Sequence, residues 1–356
     1  MKRKFKIVLF IMILIIIVIL ISQKNFIAEV SSKINVKKFE EPINIETGEI
    51  NNEYFNINSQ GESEENTTKG LNNALKYCNE NNIKNIKLEK GEYLINNSIN
   101  IPSNINIDLN SSNIIFKPND KVAYSIFNII DKQNIKIRNG KLIGDRFEHD
   151  YVGNSTHEWG RGIGIGGSEN LEFDNLSIYN MTGDGIYIIE DKNNSNNIKI
   201  KNSTIYMNRR QGISIISGEN IEVSYCEIFN INGTNPQAGI DMEPNKTSEK
   251  IDNINIHDNK FYNFGNSVAI MMHSQIYSVE VSKNVIYGNI NIYETREKTE
   301  INDNELHDGT IKADFYKEGS SKIINELDIT NNKMSNYDIK YNGNVKKIKI
   351  EGNEEI

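Results

Sequence analysis

The chain has 356 residues, a formal net charge of −8, 37% apolar residues and only two cysteines. Its first 24 residues hold five basic side chains and no acid, so the rest sets 35 basic against 48 acidic residues, a net of −13. That acidic body excludes a nucleic-acid partner, whose phosphates need a basic face. It also means that an anionic substrate must be met by locally placed arginines.

Lys2, Arg3, Lys4 and Lys6 form a basic start, and Ile7 to Ser22 is an almost unbroken apolar run. A cleaved signal peptide and an uncleaved anchor both fit. The anchor over residues 1–24 is favoured because Ala28 has the bulky Phe26 two residues before it, leaving no small-x-small cleavage site. Lysines on the inner side then place the remainder outside the cytoplasm, held to the membrane as a single-pass protein, or secreted if the segment is cleaved. Residues 25–64 are polar and weakly patterned and read as a stalk. Thr67 and Thr68 are expected to cap a helix whose apolar face is Leu71, Ala74, Leu75 and Cys78, and which plugs one end of the strand-rich remainder of the chain. Cys78 on that helix and Cys226 on a strand read as separate buried apolar residues.

After the helix, short alternations of apolar and polar residues recur, the period of half-buried strands. Examples begin at Ile135, Leu171, Ile198, Ile221, Ile254, Val279, Leu327 and Ile348. A second phrase runs out of phase with the first: Gly162-Ile163-Gly164-Ile165, Gly185-Ile186-Tyr187-Ile188, Gly212-Ile213-Ser214-Ile215 and Gly239-Ile240-Asp241-Met242, echoed at Ala269-Ile270. Its isoleucines are spaced by 23, 27, 27 and 30 residues. A fixed period in this range predicts a solenoid over residues 65–356. With several five-residue strands per turn and Asn or Gly at the corners, the solenoid is an all-β parallel β-helix. Asn139, Asn175, Asn202 and Asn331 read as stacked corner residues.

The period breaks between Gly144 and Gly160. The insert holds Arg146, His149, Tyr151, His157 and Trp159, the chain's only tryptophan. Insertions in solenoids map to loops on one face, and this one reads as a substrate-binding loop in which Trp159 or Tyr151 stacks on a ring of the substrate.

If the repeating isoleucines face the core, the residues one and three further on face out. Those outward positions are Gly164 and Gly166, Tyr187 and Ile189, Ser214 and Ile216, Asp241 and Glu243, and Met271 and His273. With coils about 4.8 Å apart, His273 lies directly above Glu243. Two carboxylates side by side on a flat sheet repel and need a reason to be there. Just before the same strand, Arg161, Asp184, Arg210, Gln211 and Gln237 stack, which puts Asp184 beside Arg210. Asp241, Glu243, Asp184, Arg210 and His273 are thus the candidate catalytic residues. Arg161, Tyr187, Gln211, Ser214, Trp159, His157, His149 and Arg146 are the candidate substrate-binding residues. Inverting glycoside hydrolysis would use a pair drawn from Asp241, Glu243 and Asp184. Elimination or epimerisation at a uronic acid would use a base and cations drawn from Arg161, Arg209, Arg210 and His273. Beyond residue 275 the outward residues, Asn291, Lys312, Asp314 and Lys340, read as ordinary closing coils.

The amphipathic helix, the following strand with its Lys90-Gly91-Glu92-Tyr93 turn, and Ile101-Pro102-Ser103-Asn104-Ile105-Asn106-Ile107-Asp108-Leu109 resemble the opening of the pectate-lyase-like superfamily. This resemblance implies a single-stranded right-handed parallel β-helix with polysaccharide as the usual substrate. It does not fix the reaction. Thr182-Gly183-Asp184-Gly185-Ile186 resembles the Gly-Asp-Asp segment of polygalacturonases, but Gly185 replaces the second acid. Gln211-Gly212-Ile213-Ser214 resembles their His-Gly-Ile-Ser strand, but Gln211 replaces the histidine. Trp159-Gly160-Arg161 stands where their Asn-Thr-Asp strand belongs. The resemblance further implies a calcium ion at Asp184, Asp241 and Glu243, as in pectate lyases, and a homotrimer, as in tail spikes. The missing carboxylates leave a non-catalytic glycan-binding or surface-structure protein as the second reading.

Overall fold

A computed structural model describes residues 41–314, 323–336 and 338–356. Pro42–Ile356 form one compact unit. The expected anchor over residues 1–24 lies outside the described residues, and among the described residues no helix is long and apolar enough to cross a membrane.

Among the described residues one helix, α1 (Glu64–Glu80), precedes short strands that pair in parallel. Ten of them form one sheet: β1 (Ile99–Asn100), β2 (Ala123–Ile130), β3 (Trp159–Gly166), β4 (Ile186–Ile189), β5 (Ile213–Ile215), β6 (Ile240–Met242), β7 (Val268–Met272), β8 (Asn289–Ile292), β9 (Ile311–Ala313) and β10 (Ile339–Tyr341). The other strands form a second sheet that wraps two further faces. Glu169–Tyr179 pairs with Asn196–Lys201 through its first half and with Thr204–Tyr206 through its second.

The register follows the isoleucines. Ile163, Ile186, Ile213, Ile240 and Ile270 stack in line from β3 to β7, all fully buried. Each buried side chain contributes about 1.5–3 kcal/mol. The alternation then forces Gly164, Tyr187, Ser214, Asp241 and Met271 into one column on the opposite side.

The corners are asparagines. Asn139, Asn175 and Asn202 take left-handed φ of 60, 54 and 49°, which asparagine tolerates better than branched residues. Each passes its side-chain amide to the coil before, as Asn175 Nδ2 does to Asn139 Oδ1 at 2.9 Å. At another corner a buried ladder, Asn259, Asn284, Asn304, Asn332 and Asn353, runs inside the coil, each Nδ2 before the last bonding the next Oδ1. On the outer side, Tyr179, Tyr206, Phe229 and Tyr262 stack with ring centroids 4.7–5.0 Å apart. Their faces cover one another, so this stripe braces the coil.

Two expectations are corrected. The helix starts at Glu64, ahead of Thr67 and Thr68. Glu64 and Glu65 suit the positive end of its dipole, while Thr68 Oγ1 bonds back to Glu64 O at 2.6 Å from inside the first turns. The stalk read over 25–64 does not extend past Pro42. Ile43, Ile50 and Ile57 are buried, and Glu49 and Gln60 bridge to Lys87 and Glu92, because apolar side chains at this spacing finish the core beside α1. Cys78 and Cys226 are both buried and unpaired in any disulfide; burial pushes the thiols to about 11 and about 12.

Candidate functional site

The site is assembled from consecutive coils. Asp241 lies on β6 in register with Ser214 on β5, and Glu243 follows two residues later. The next coil brings His273, whose N–H bonds Met242 O, alongside both acids. Asp241, Glu243 and His273 each offer a ligand atom within 4.8 Å of the others.

A hydrogen-bonded chain fixes this cluster from below. Arg210 Nη1 donates to Gln211 Oε1 at 2.7 Å and reaches Asp184 Oδ2 at 3.5 Å, while Nη2 donates to Glu243 Oε2 at 3.2 Å. Gln211 is fully buried, and its Nε2 donates to Asp241 Oδ2. His273 Nε2 lies 3.1 Å from Asp241 Oδ1. Gln211 therefore couples Arg210 to Asp241; fully buried and bonded on both sides, it is committed within the protein, which corrects its expected contact with substrate. The side chains of Asp184 and Asp241 are 1% and 0% exposed, whereas Glu243 is 32% and His273 12% exposed. A bound molecule meets Glu243 and His273 first.

The charges are tuned by burial. Burial, then the charge of Asp241, holds Glu243 above the ordinary glutamate value against the pull of His273 and Arg210. Burial raises Asp184 from 3.8 to about 6, although Arg210 and Arg161 draw it down. For Arg210 burial acts to lower the value, but Asp184, Glu243 and Asp241 together outweigh it and raise it.

The Asp184 shift has a stability consequence. Its folded value lies above the unfolded one, so its contribution is fully present below about pH 4 and is lost as pH rises through about 6. The amount is about 3 kcal/mol. Asp184→Asn is therefore expected to flatten the fall of melting temperature between pH 4 and 6, read by thermal denaturation of both proteins across that range. Parallel curves would refute it.

The insert behaves differently from the sequence reading. His149 and His157 are not brought to the strand face; they form the insert's own core. Asp145, bonded by Tyr124 and Asn119, meets His149 Nδ1 at 2.6 Å. His149 Nε2 meets His157 Nδ1 at 2.8 Å, and His157 Nε2 lies 2.8 Å from Val152 O. Their assignment to substrate is corrected to holding the loop. Arg146 is likewise spent on Met207 O and Asn232 Oδ1, at 2.8 and 2.7 Å. Trp159 and Tyr151 remain exposed, though Arg209 lies 4.7 Å over the Tyr151 ring. Tyr187 carries Arg161 at 3.6 Å from its ring centre. Ser214 is buried between Tyr187 and Asp241. Tyr293, past the expected limit of the site, packs 5.6 Å from the His273 ring; nothing in the local pattern singles it out.

Asp184, Asp241 and Glu243 do not fit a calcium ion. Calcium takes six to eight oxygens, and these carboxylates are already engaged by Arg210, Gln211 and His273. Asp241, Glu243 and His273 make a mixed nitrogen–oxygen set, a donor type that suits divalent transition metals better than calcium. Arg210 competes there for Glu243.

The family described as "Right handed beta helix region" matches residues 143–306. A prophage-derived uncharacterized protein of Bacillus subtilis (strain 168), YorA, is 32% identical over 218 residues, covering 53% of this chain. The chain spans only 37% of that relative's length. Among solved structures, the A-module of the mannuronan C-5 epimerase AlgE4 of Azotobacter vinelandii superposes with a TM-score of 0.63 at 14% identity, over 85% of this chain and 95% of that one. The Streptococcus pneumoniae surface protein and adhesin PfbA gives 0.62 at 12%, over 85% and 96%. At these identities the likeness to solved structures is one of fold.

Proposed function

We propose that this chain, which belongs to the right-handed parallel β-helix superfamily, is an extracytoplasmic enzyme acting on a polysaccharide that lies along the outer face of β3 to β7. The basic, apolar start of the chain supports a membrane-held or secreted position. The observation that carries the catalytic reading is the clustering of Asp241, Glu243 and His273 on the Arg210–Gln211 support. A raised glutamate beside a carboxylate-backed histidine is an acid–base pair at an open surface. Glu243 would deliver a proton, and His273, oriented by Asp241, would take one. The support chain would keep both in place.

Inverting hydrolysis by Asp241 and Glu243 is disfavoured. Their nearest oxygens lie within 4.8 Å, whereas that mechanism spaces its carboxyl groups roughly 6.5–9.5 Å apart to admit water. Asp241 is also too deeply buried to activate a water against a sugar carbon, or to attack that carbon itself as a retaining enzyme's nucleophile would. Proton transfer, as in elimination or epimerisation, fits the two accessible groups better. The purified protein should be followed on uronic-acid and neutral polysaccharides for absorbance of unsaturated products, for new reducing ends, and for exchange of ring protons with solvent deuterium. Absorbance or deuterium uptake is the expected result. Reducing ends alone would replace proton abstraction by hydrolysis, and silence in all three would favour a glycan-binding protein.

A further inference from the structure

The insert before β3 buries three titratable side chains that the proposed chemistry does not use. Asp145, His149 and His157 are 4%, 7% and 0% exposed, so their partners must satisfy whatever hydrogens and charge they carry. Val152 O can only accept, so His157 Nε2, 2.8 Å away, carries a hydrogen. Asp145 receives the Tyr124 hydroxyl, the backbone N–H and side-chain amide of Asn119, and His149 Nδ1 at 2.6 Å. Donors converging from all sides suit an ionised carboxylate, which only accepts. His149 Nδ1 therefore carries a hydrogen too.

The outer nitrogens of the histidine pair are thus engaged, and the pair meets through its inner ones, His149 Nε2 and His157 Nδ1, 2.8 Å apart. That bond needs one hydrogen between two nitrogens. With none, two lone pairs face each other; with two, a pair of N–H groups and a pair of positive charges do. One proton beyond the neutral imidazoles satisfies the chain, whichever ring holds it, and no other number does.

The surroundings oppose a second charge. The Tyr151 ring stands 4.7 and 5.8 Å from the two imidazoles, with Arg209 4.7 Å over it. Arg209 also donates to Thr156 O at 2.6 Å, and Arg146 to Met207 O, so two cations flank the loop. Tyr124 of β2 stays a donor, because burial, then the charge of Asp145, holds its hydroxyl well above the ordinary value. Lys121 turns its ammonium to Asn96 O. Of the insert's other acids, Glu148 and Asp150 are exposed and Glu158 is half-buried. The backbone is poised as well: His157 has a φ of 50°, a sparsely populated conformation that the bonds of its ring hold in place.

We infer that residues 145–159 form a pH-operated latch, closed while His149 and His157 share one proton and released when the pair takes up a second. In acid the open insert, with both rings in water, binds one more proton than the closed one. The closing equilibrium then falls tenfold per pH unit. Release moves Tyr151 and Trp159, the first residue of β3, at the edge of the proposed groove. Access is thereby controlled apart from Glu243 and His273.

Trp159 is the chain's only tryptophan, so the emission of the whole protein reports on this loop without a label. It is followed from about pH 8 to about pH 4.5, the span in which histidine changes charge, alongside hydrogen exchange corrected for its intrinsic pH dependence. A reversible shift of emission is expected, with protection of residues 145–159 falling by up to about tenfold per pH unit while residues 254–292 stay protected. Asp184 stabilises the coil more as pH falls, so it cannot produce this loosening. His157→Gln can accept from His149 Nε2 and donate to Val152 O without titrating, and should stay closed throughout. If that variant is already loose at pH 8, histidine NMR of the wild type takes its place: His149 and His157 must titrate in the interval over which Trp159 shifts. Flat emission and exchange, an unchanged transition in a closed His157→Gln, or histidines that titrate outside that interval would overturn the latch.

Discussion

Glu243→Gln is expected to lower turnover by about 10²–10⁴-fold, the range that a positioned proton donor supplies. The substitution keeps an oxygen for Arg210 Nη2, now 3.2 Å from Glu243 Oε2, so the support chain should stay closed and the melting temperature should hold. Because burial and the neighbouring Asp241 charge raise the Glu243 value, the wild type should keep its proton donor to higher pH than an ordinary glutamate would. Its rate should fall as pH climbs past that raised value, and the variant should lose this limb of the profile. A variant that melts with the wild type and turns over at the wild-type rate would remove Glu243 from the chemistry.

The largest expected loss of stability is at Asn304, in the middle of the buried ladder. Its Oδ1 accepts from both the backbone N–H and the side chain of Asn284, and its Nδ2 donates to Val281 O and to Asn332 Oδ1. Asn304→Leu would strand all of these partners where water cannot reach them. The cost should be about 3–5 kcal/mol, measured by denaturant unfolding and by hydrogen exchange in residues 279–334. Asn197 is the control. It also sits at a corner, with φ of 51°, but in solvent, and Asn197→Gly keeps that backbone geometry. Its loss should stay within about 0.5 kcal/mol. Equal effects at the two positions would mean that the buried ladder contributes no more than the surface one.

Much of this organisation was legible in the isoleucine period. Once Ile186, Ile213, Ile240 and Ile270 are known to stack, strand alternation forces Asp241 outward and brings His273 beside it, with no further information needed. What stayed hidden depends on side chains that leave the alternation. Gln211 sits before its strand and bends round to Asp241, a path that spacing cannot encode. His149 and His157 look like surface histidines in a polar insert, but the loop closes on itself through Asp145, and such closure leaves no periodic trace. Residues 42–62 are too polar on average to read as core, yet Ile43, Ile50 and Ile57 suffice to fasten them. Tyr293 reaches His273 from a coil whose outward residues look unremarkable.

The place of the site along the coil has a bearing on how the protein fails. Strands β1 and β2 stand before the functional strands, and β8, β9 and β10 come after them. In a one-dimensional stack each turn touches only its neighbours, so melting begins as fraying at an extremity and advances turn by turn. The outlying turns then act as a buffer that can be shed while the middle keeps its geometry. Function should outlast the first loss of ordered strand on warming, and the two should part company in a gradual thermal scan.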